Sequence, residues 1–554
     1  MKIFKGIAGA PGIVSAKVLY FEKKKKENNN LTIEEVQQAA LKRVRALREK
    51  AHSDLGEEKA KIFSAYEMLL EDPMLIDPIV AAVEGGEDKK SAIERETEAK
   101  AAILASKNNE YMRQRADDIR YIGKLMCDVL DGADDEFVFP DGEDKYIIAA
   151  RELTPVDTMA FDKNRLAGFA TELGGAASHT VILAKSLGIP AIVGVKNLEK
   201  TDISDAYLDG YTGILTVEPD ETQKAEYEKK IAEEELLAEK LSEIKNSKAK
   251  TKDGKKIAVA INIGKPADMK EAQGIDGVGL FRSEFLYSSS KKKPTLDEQI
   301  KAYREVIKKA SPESVTIRTL DIGGDKKLDY IEVAPEENPF LGNRGIRLCL
   351  NNPEIFEEQL RAILIAAEGE KVKIMLPMVT CLSEVKRTRD IIEKIKKELQ
   401  AENTEFCRNI SVGIMIETPA AAIMADVFAK YVDFFSIGTN DLVQYVMAAD
   451  RGNAEIEELY NPYHPAVIRM IARVIEAGRT AGIEVSMCGD LAANTAFCEL
   501  FIGLGLEKFS VPVPMASRIK YKISNISSEA AKTFAKEVLE AEDEEKIKEL
   551  LLAR

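Results

Sequence analysis

Histidine is scarce in this chain. Among 554 residues only His52, His179 and His464 occur, so any histidine chemistry has few candidates. Cysteine is nearly as sparse. Cys127, Cys349, Cys381, Cys407, Cys488 and Cys498 are scattered, with no C-x-x-C pair. That argues against a zinc cluster or a disulfide framework and reads as reduced, cytosolic usage. No apolar run approaches the roughly 20 residues that span a bilayer. Residues Met1 to Ile7 lack the apolar stretch and cleavage site of a signal peptide. Positive charge is in deficit: Lys plus Arg number 79 against 94 Asp plus Glu, a net charge of −15. An acidic surface argues against a nucleic-acid partner, whose phosphates need clustered cations. A basic protein or a metal-chelated anion fits better.

What is present is ordinary for a globular protein: 45% hydrophobic and 31% charged residues. The length exceeds what one core supports and implies two to four domains. Residues 1–24 read as short strands, with a turn at Gly9-Ala10-Pro11-Gly12. From Leu31 to Leu130 the pattern is helical. Thr32-Ile33-Glu34-Glu35 is a capping box, and Ile33, Val36, Ala40, Val44 and Leu47 share one face. Lys61–Leu70 and Met112–Leu130 are further amphipathic segments, with breaks at Asp72-Pro73 and Gly85-Gly86. These predict a bundle of three or four helices over residues 25–139. Strand character returns at Tyr146–Ala150, Gly168–Thr171 and Ala191–Val195, and at Tyr207–Val217 with a hairpin signal at Asp209-Gly210. The bundle is therefore read as an insertion into one discontinuous α/β domain of residues 1–24 and 140–221. Residues 222–250, rich in Glu and Lys, predict a solvated linker helix.

Eight strands then alternate with helices over residues 251–554. They are Ile257–Ile263, Gly277–Arg282, Val315–Leu320, Val372–Pro377, Val412–Ile416, Asp433–Ile437, Glu484–Cys488 and Lys508–Val511. This alternation predicts a (β/α)₈ TIM-type barrel. The overall fold class is thus a multidomain α/β chain. In such barrels the site lies at the strands' C-terminal ends. There the chain places Arg282, Arg318, the loop through Arg344, Glu417, Asn440, Asp441, Arg451 and Cys488. Arginines suit bidentate binding of phosphate and carboxylate. Glu417 and Asp441 are oxygen ligands of the kind Mg²⁺ takes, with substrate oxygens completing its shell. A small anion carrying both phosphate and carboxylate would use the whole set. Singly, each residue could be a cap or a surface ion pair; clustered on successive strand ends, they read as a site.

Gly174-Gly175-Ala176-Ala177-Ser178-His179-Thr180 precedes an apolar helical pattern, Val181–Leu187. A helix start favours an anion, and an imidazole there can carry a phosphoryl group. His52, in a charged helix, and His464, in Asn461-Pro462-Tyr463-His464-Pro465, are read as structural.

The histidine segment, followed by Gly188-Ile189-Pro190-Ala191-Ile192-Val193-Gly194, resembles the phosphohistidine segment of phosphoenolpyruvate-utilising enzymes. The stretches Asp276–Leu286, Arg318–Lys326, Ile416–Ala421, Ser436–Leu442 and Met487–Asp490 resemble their barrel. The resemblance covers essentially the whole chain. It is closest to the Enzyme I family of the bacterial sugar phosphotransferase system. Dikinase relatives carry a further ATP-binding domain before the histidine, and no G-x-x-x-x-G-K-[ST] loop occurs here.

What the resemblance implies is specific. His179 would take the phosphoryl group from phosphoenolpyruvate in a Mg²⁺-dependent step and pass it to a histidine of the phosphocarrier protein HPr. Glu417 and Asp441 would hold the metal. Arg282, Arg318, Arg344, Asn440 and Arg451 would clamp the substrate, and Cys488 would protonate carbon to release pyruvate. The helical bundle would dock HPr, the α/β domain would swivel, and the barrel would form a homodimer in the cytoplasm. Two departures stand out: Ala176-Ala177 where the family often has Arg-Thr, and Asp490 where Glu is common. A dikinase-like enzyme and a non-catalytic phosphoenolpyruvate sensor are the alternative readings.

Overall fold

The computed structural model describes the chain apart from residues 1, 23–29, 56, 106–109, 133–138, 154–156, 159–160, 163, 176–177, 179, 182–183, 186–187, 199–202, 289–291, 324–327, 329, 332–333 and 335. It divides into two compact units, Met1–Leu236 and Leu237–Arg554.

The first unit is built on one eight-stranded sheet. Its strands are β1 (Lys2–Lys5), β2 (Ile7–Ala10), β3 (Ile13–Phe21), β4 (Tyr146–Ala150), β5 (Leu166–Thr171), β6 (Ala191–Val193), β7 (Ser204–Asp209) and β8 (Ile214–Val217). Their order is β1-β8-β7-β3-β4-β5-β6-β2. Strands β3 to β6 run parallel as neighbours, and the outer pairs are antiparallel. The β7–β8 turn is held by Asp209, whose carboxylate accepts from the backbone of Tyr211 and Thr212 at 3.0 Å each. The expected turn at Gly9–Gly12 is shorter than read: Gly9 and Ala10 belong to β2. A Cβ on Gly9 would meet the Ala191 carbonyl oxygen at 2.9 Å, so this glycine serves close strand pairing.

Between the neighbouring strands β3 and β4 the chain leaves the sheet for α1 (Ile33–Leu55), α2 (Glu57–Leu70), α3 (Pro73–Glu84), α4 (Lys89–Ala105) and α5 (Glu110–Leu130). The described residues thus contain five helices here, more than the three or four expected. Asp72-Pro73 does not open a loop. Asp72 caps α3, accepting from Met74 N–H at 2.9 Å, and Pro73 sits where no intrahelical donor is needed. The alanine-rich α4 shows little apolar periodicity, so its sequence hides it. The Thr32 box forms: Thr32 N–H reaches Glu35 at 2.8 Å, and Glu35 N–H reaches Thr32 Oγ1 at 3.2 Å. Val36, Ala40 and Val44 are fully buried against Tyr66, Ile79, Ile93 and Met126.

Helix α6 (Glu221–Ile244) is shorter than the 222–250 segment expected. It is also not wholly solvated. Tyr227 stacks on Tyr207 at 4.8 Å, and its hydroxyl meets Thr216 Oγ1 at 3.1 Å.

The second unit is a closed barrel of eight parallel strands in the order β10-β11-β12-β13-β14-β15-β16-β9. They are β9 (Ala258–Ile263), β10 (Val278–Arg282), β11 (Val315–Arg318), β12 (Val372–Leu376), β13 (Ser411–Ile416), β14 (Phe434–Gly438), β15 (Glu484–Cys488) and β16 (Lys508–Pro512). Their central residues are mainly Val, Ile, Leu, Phe and Met, buried on both faces, as parallel strands under helices must be. All eight expected strands are present with ends shifted by at most two residues. Inside the barrel, Leu280, Met375, Met415, Phe434 and Cys488 form a small buried apolar layer.

Candidate active site

The C-terminal strand ends converge on a buried charge cluster. Arg318, the last residue of β11, is 7% exposed and reaches Glu284 Oε1 at 2.8 Å and Asp321 Oδ2 at 2.9 Å. Glu284 begins the short helix Glu284–Ser288 after β10. Its Oε1 also accepts from Asp321 N–H at 3.1 Å, which fixes the chain leaving β11.

Arg344 joins two carboxylates. Nε and Nη2 donate to Asp321 at 3.0 and 3.2 Å, while Nη1 and Nη2 donate to Asp441 at 2.9 and 3.1 Å. Only the planar guanidinium can grip two carboxylates bidentately in this way. The backbone around it needs glycine. Gly345 has φ +60°, and a Cβ on Gly323 (φ +121°) would meet the Asn343 carbonyl oxygen at 2.7 Å.

Glu417, just past β13, is 1% exposed and accepts from Met378 N–H at 2.6 Å. Met378 holds the unusual φ of +58° that turns this donor inward. Burial pushes the Glu417 carboxyl up to about 8. Asp441 and Asp321 add to the effect, and Arg318 and Arg344 oppose it. The buried set thus holds four carboxylates, Glu284, Asp321, Glu417 and Asp441, against two guanidiniums. It is short of positive charge, and a divalent cation would supply what is missing. Glu417 and Asp441 are hard oxygen donors of the right chemistry. Among the described residues no group of three or more His, Cys, Asp or Glu side chains is placed to hold a metal. A two-carboxylate site leaves the remaining positions to water and substrate oxygens, as Mg²⁺ prefers.

Cys488 ends β15 and is 2% exposed. The Ser436 hydroxyl donates to its Sγ at 3.6 Å. Burial pushes its thiol above the usual cysteine range; Ser436 and the Arg318 and Arg282 charges pull the other way without cancelling it. Asn440 lies beside it in the next turn, its Oδ1 accepting from Asp490 N–H at 2.8 Å. Gly489 (φ +92°) makes this possible: a Cβ there would meet Thr439 Oγ1 at 2.3 Å and Asn440 Oδ1 at 2.6 Å.

The structure therefore gathers Arg318, Arg344, Glu417, Asp441 and Cys488 into one buried network, with Asn440 at its edge. Arg282 and Arg451 are exposed. Arg451 N–H bonds to Gln444 Oε1 at 3.3 Å, and its guanidinium makes no ion pair with a described residue. His179 lies outside the described residues, as do Ala176 and Ala177. Nearby, Ser178 N–H donates to the Gly175 carbonyl at 2.9 Å and Thr180 Oγ1 to the Leu153 carbonyl at 2.8 Å. His464 caps the helix Pro465–Ala481, its Nδ1 accepting from Ala466 N–H at 3.2 Å, in keeping with a structural role. Reading from sequence put Glu284 and Asp321 at these strand ends without a role, and missed Ser436 and Met378 as members of the network. A signal existed for the first two: acidic residues at the same strand ends as the arginines. For Met378 there was none, because its part is played by backbone.

Comparison with known proteins supplies the context. Residues 5–115 match a model described as PEP-utilising enzyme, N-terminal; residues 142–213 match the mobile domain of such enzymes; and residues 238–528 match their PEP-binding domain. A phosphoenolpyruvate-protein phosphotransferase of Listeria monocytogenes is 40% identical over 99% of both chains. Its counterpart in Bacillus subtilis is 38% identical over 99% of this chain and 98% of the relative. The chain belongs to the phosphoenolpyruvate-protein phosphotransferase family. Within that family match, the PEP-binding segment contains the whole buried network, and the mobile segment contains His179.

Proposed function

We propose that this chain takes the phosphoryl group of phosphoenolpyruvate onto His179, releases pyruvate, and passes the group to a histidine of an HPr-type carrier, the first step of a sugar phosphotransferase system. The observation that carries the reading is the buried network of Arg318, Arg344, Glu417 and Asp441 with Cys488 beside it. It combines oxygen donors, guanidiniums and a protonated thiol at one place.

In this reading Glu417 and Asp441 would hold Mg²⁺, which would supply positive charge against the phosphate and carboxylate of the substrate. Arg282 and Arg451, exposed and uncommitted, bind substrate oxygens as they arrive; Arg318, Arg344 and Asn440 complete the clamp. His179 attacks phosphorus through an imidazole nitrogen, and the P–O bond to the enol breaks. The departing enolate takes its proton at carbon from the Cys488 thiol, giving pyruvate. Burial keeps that thiol protonated at neutral pH, as an acid must be. The thiolate left behind is reprotonated from solvent.

The remaining assignments belong to the same proposal. Residues 25–139 dock the carrier, residues 1–24 with 140–221 form the domain that moves His179 between partners, and residues 222–250 link it to the barrel of 251–554. The protein works in the cytoplasm as a homodimer through the barrel, without membrane insertion or nucleic acid. Among the described residues no helix is long and apolar enough to cross a membrane.

The test is intact-protein mass after incubation with phosphoenolpyruvate and Mg²⁺, beside a His179→Ala control. One acid-labile phosphoryl group on the wild type and none on the variant is expected. A wild type that binds the substrate but gains no mass would reverse the reading in favour of a sensor.

A further inference from the structure

The barrel carries a second polar site at its opposite end. Around the N-terminal ends of β9, β15 and β16 lies a cavity of about 1300 Å³, bounded in part by Ala258, Glu484 and Lys508, the first residues of those strands. Its lining contains seven Lys or Arg side chains and five Asp or Glu, in a chain whose overall charge is −15.

Three of the cations bear directly on what this cavity could hold. Lys250 and Lys256 face each other across an isolated antiparallel bridge. The flanking bonds, Thr251 N–H to the Lys255 carbonyl and Ile257 N–H to the Ala249 carbonyl, make this a non-hydrogen-bonded pair. Such pairs bring Cα atoms to about 4.5 Å and project both side chains from one face. Like charges placed directly opposite are unfavourable. Yet both ammonium groups are exposed, and neither makes an ion pair with a described residue. Lys508, by contrast, is 7% exposed. Its Nζ reaches Glu484 Oε1 at 3.1 Å, but Lys373 Nζ takes the same oxygen at 3.0 Å. One carboxylate oxygen is therefore shared by two ammonium groups, with Asp276 adding a weaker attraction for Lys508. Burial pushes the Lys508 ammonium below the usual lysine range, against the pull of Glu484.

We propose that this cavity binds a compact polyanion, of phosphate or polycarboxylate chemistry, between Lys250, Lys256 and Lys508. The anion relieves the repulsion of the opposed lysines and completes the coordination of the buried one. Apolar walls from Ile475, Ile483 and Leu504 admit a carbon skeleton beside the charges. The site is separate from the strand C-terminal ends, so its occupant is not the phosphoryl donor held there.

Lysine acetylation of the full chain, followed by mass spectrometry, tests this. Inorganic pyrophosphate and citrate are added in separate arms, with sodium chloride at matched ionic strength. At least tenfold slower labelling of Lys250 and Lys256, with exposed Lys252 unchanged, is expected in one polyanion arm. Protection by pyrophosphate alone assigns a phosphate ligand, and by citrate alone a polycarboxylate. Unchanged labelling in both arms, or equal slowing by sodium chloride, overturns the proposal. Lys508→Met should raise the half-protecting concentration at least tenfold; no change would remove Lys508 from the site.

Discussion

At the scale of single residues, burial decides what each group can do. Cys488 is enclosed and its thiol held protonated, so it should behave unlike the exposed Cys381. Alkylation at neutral pH should modify Cys381 first and leave Cys488 intact, as peptide mass mapping would read. Cys488→Ala should lower pyruvate release by roughly 10²- to 10⁴-fold, the usual weight of a general acid. Phosphoenolpyruvate binding, followed by calorimetry, should persist in that variant. Arg344 is a different case. It is the shared partner of Asp321 and Asp441, and removing it strips the buried Asp441 of this guanidinium and leaves Asp321 to Arg318. Arg344→Met should cost about 3 kcal/mol or more in the unfolding of the barrel unit, measured by denaturant titration. A loss of activity with unchanged stability would contradict this network.

At the scale of elements, the turns after the strands place the chemistry. The turn from β15 into the short helix Asp490–Ala493 depends on Gly489. Gly489→Ala adds a Cβ where Asn440 and Thr439 already stand, at a φ that alanine rarely adopts. The variant should raise KM for phosphoenolpyruvate by displacing the Asn440 carboxamide, while the barrel's circular dichroism stays unchanged. At the other end of β15, Glu484 lies between Lys373 and Lys508. Burial raises its carboxyl, but the two lysines pull harder, and the net pKa is lowered from 4.5. A carboxylate lowered on folding contributes stability above its unfolded pKa and loses it as pH falls through the folded value. The acid limb of the stability curve below pH 4.5 should therefore be shallower in Glu484→Gln, as pH-dependent melting would show. Elements were also where reading the sequence succeeded best. The barrel strands are short β-branched and aromatic runs between turn residues, a local pattern. Helix α4 escaped notice because an alanine-rich, highly charged stretch has almost no apolar stripe.

At the scale of the whole molecule, the site is a charge balance assembled from five separate stretches of chain. The four buried carboxylates and two guanidiniums come from residues 284, 318, 321, 344, 417 and 441. Chelation of divalent cations should abolish phosphorylation by phosphoenolpyruvate. Adding Mg²⁺ with the substrate should raise the melting temperature of the barrel unit, since a ligand bound only to the folded state stabilises it by mass action. A melting curve indifferent to both would argue against metal at Glu417 and Asp441. The sequence by itself determined the fold class, the eight strands and the candidate rim, because strand periodicity, caps and strand-end polar residues are local signals. Tertiary structure alone decided which of those polar residues are spent on one another and which stand free. Arg344 is committed to Asp321 and Asp441, whereas Arg282 and Arg451 are exposed. Likewise only folding brings Lys373 and Lys508 onto one oxygen of Glu484. Such pairings join residues tens to more than a hundred positions apart, and their energies depend on burial that no local pattern records.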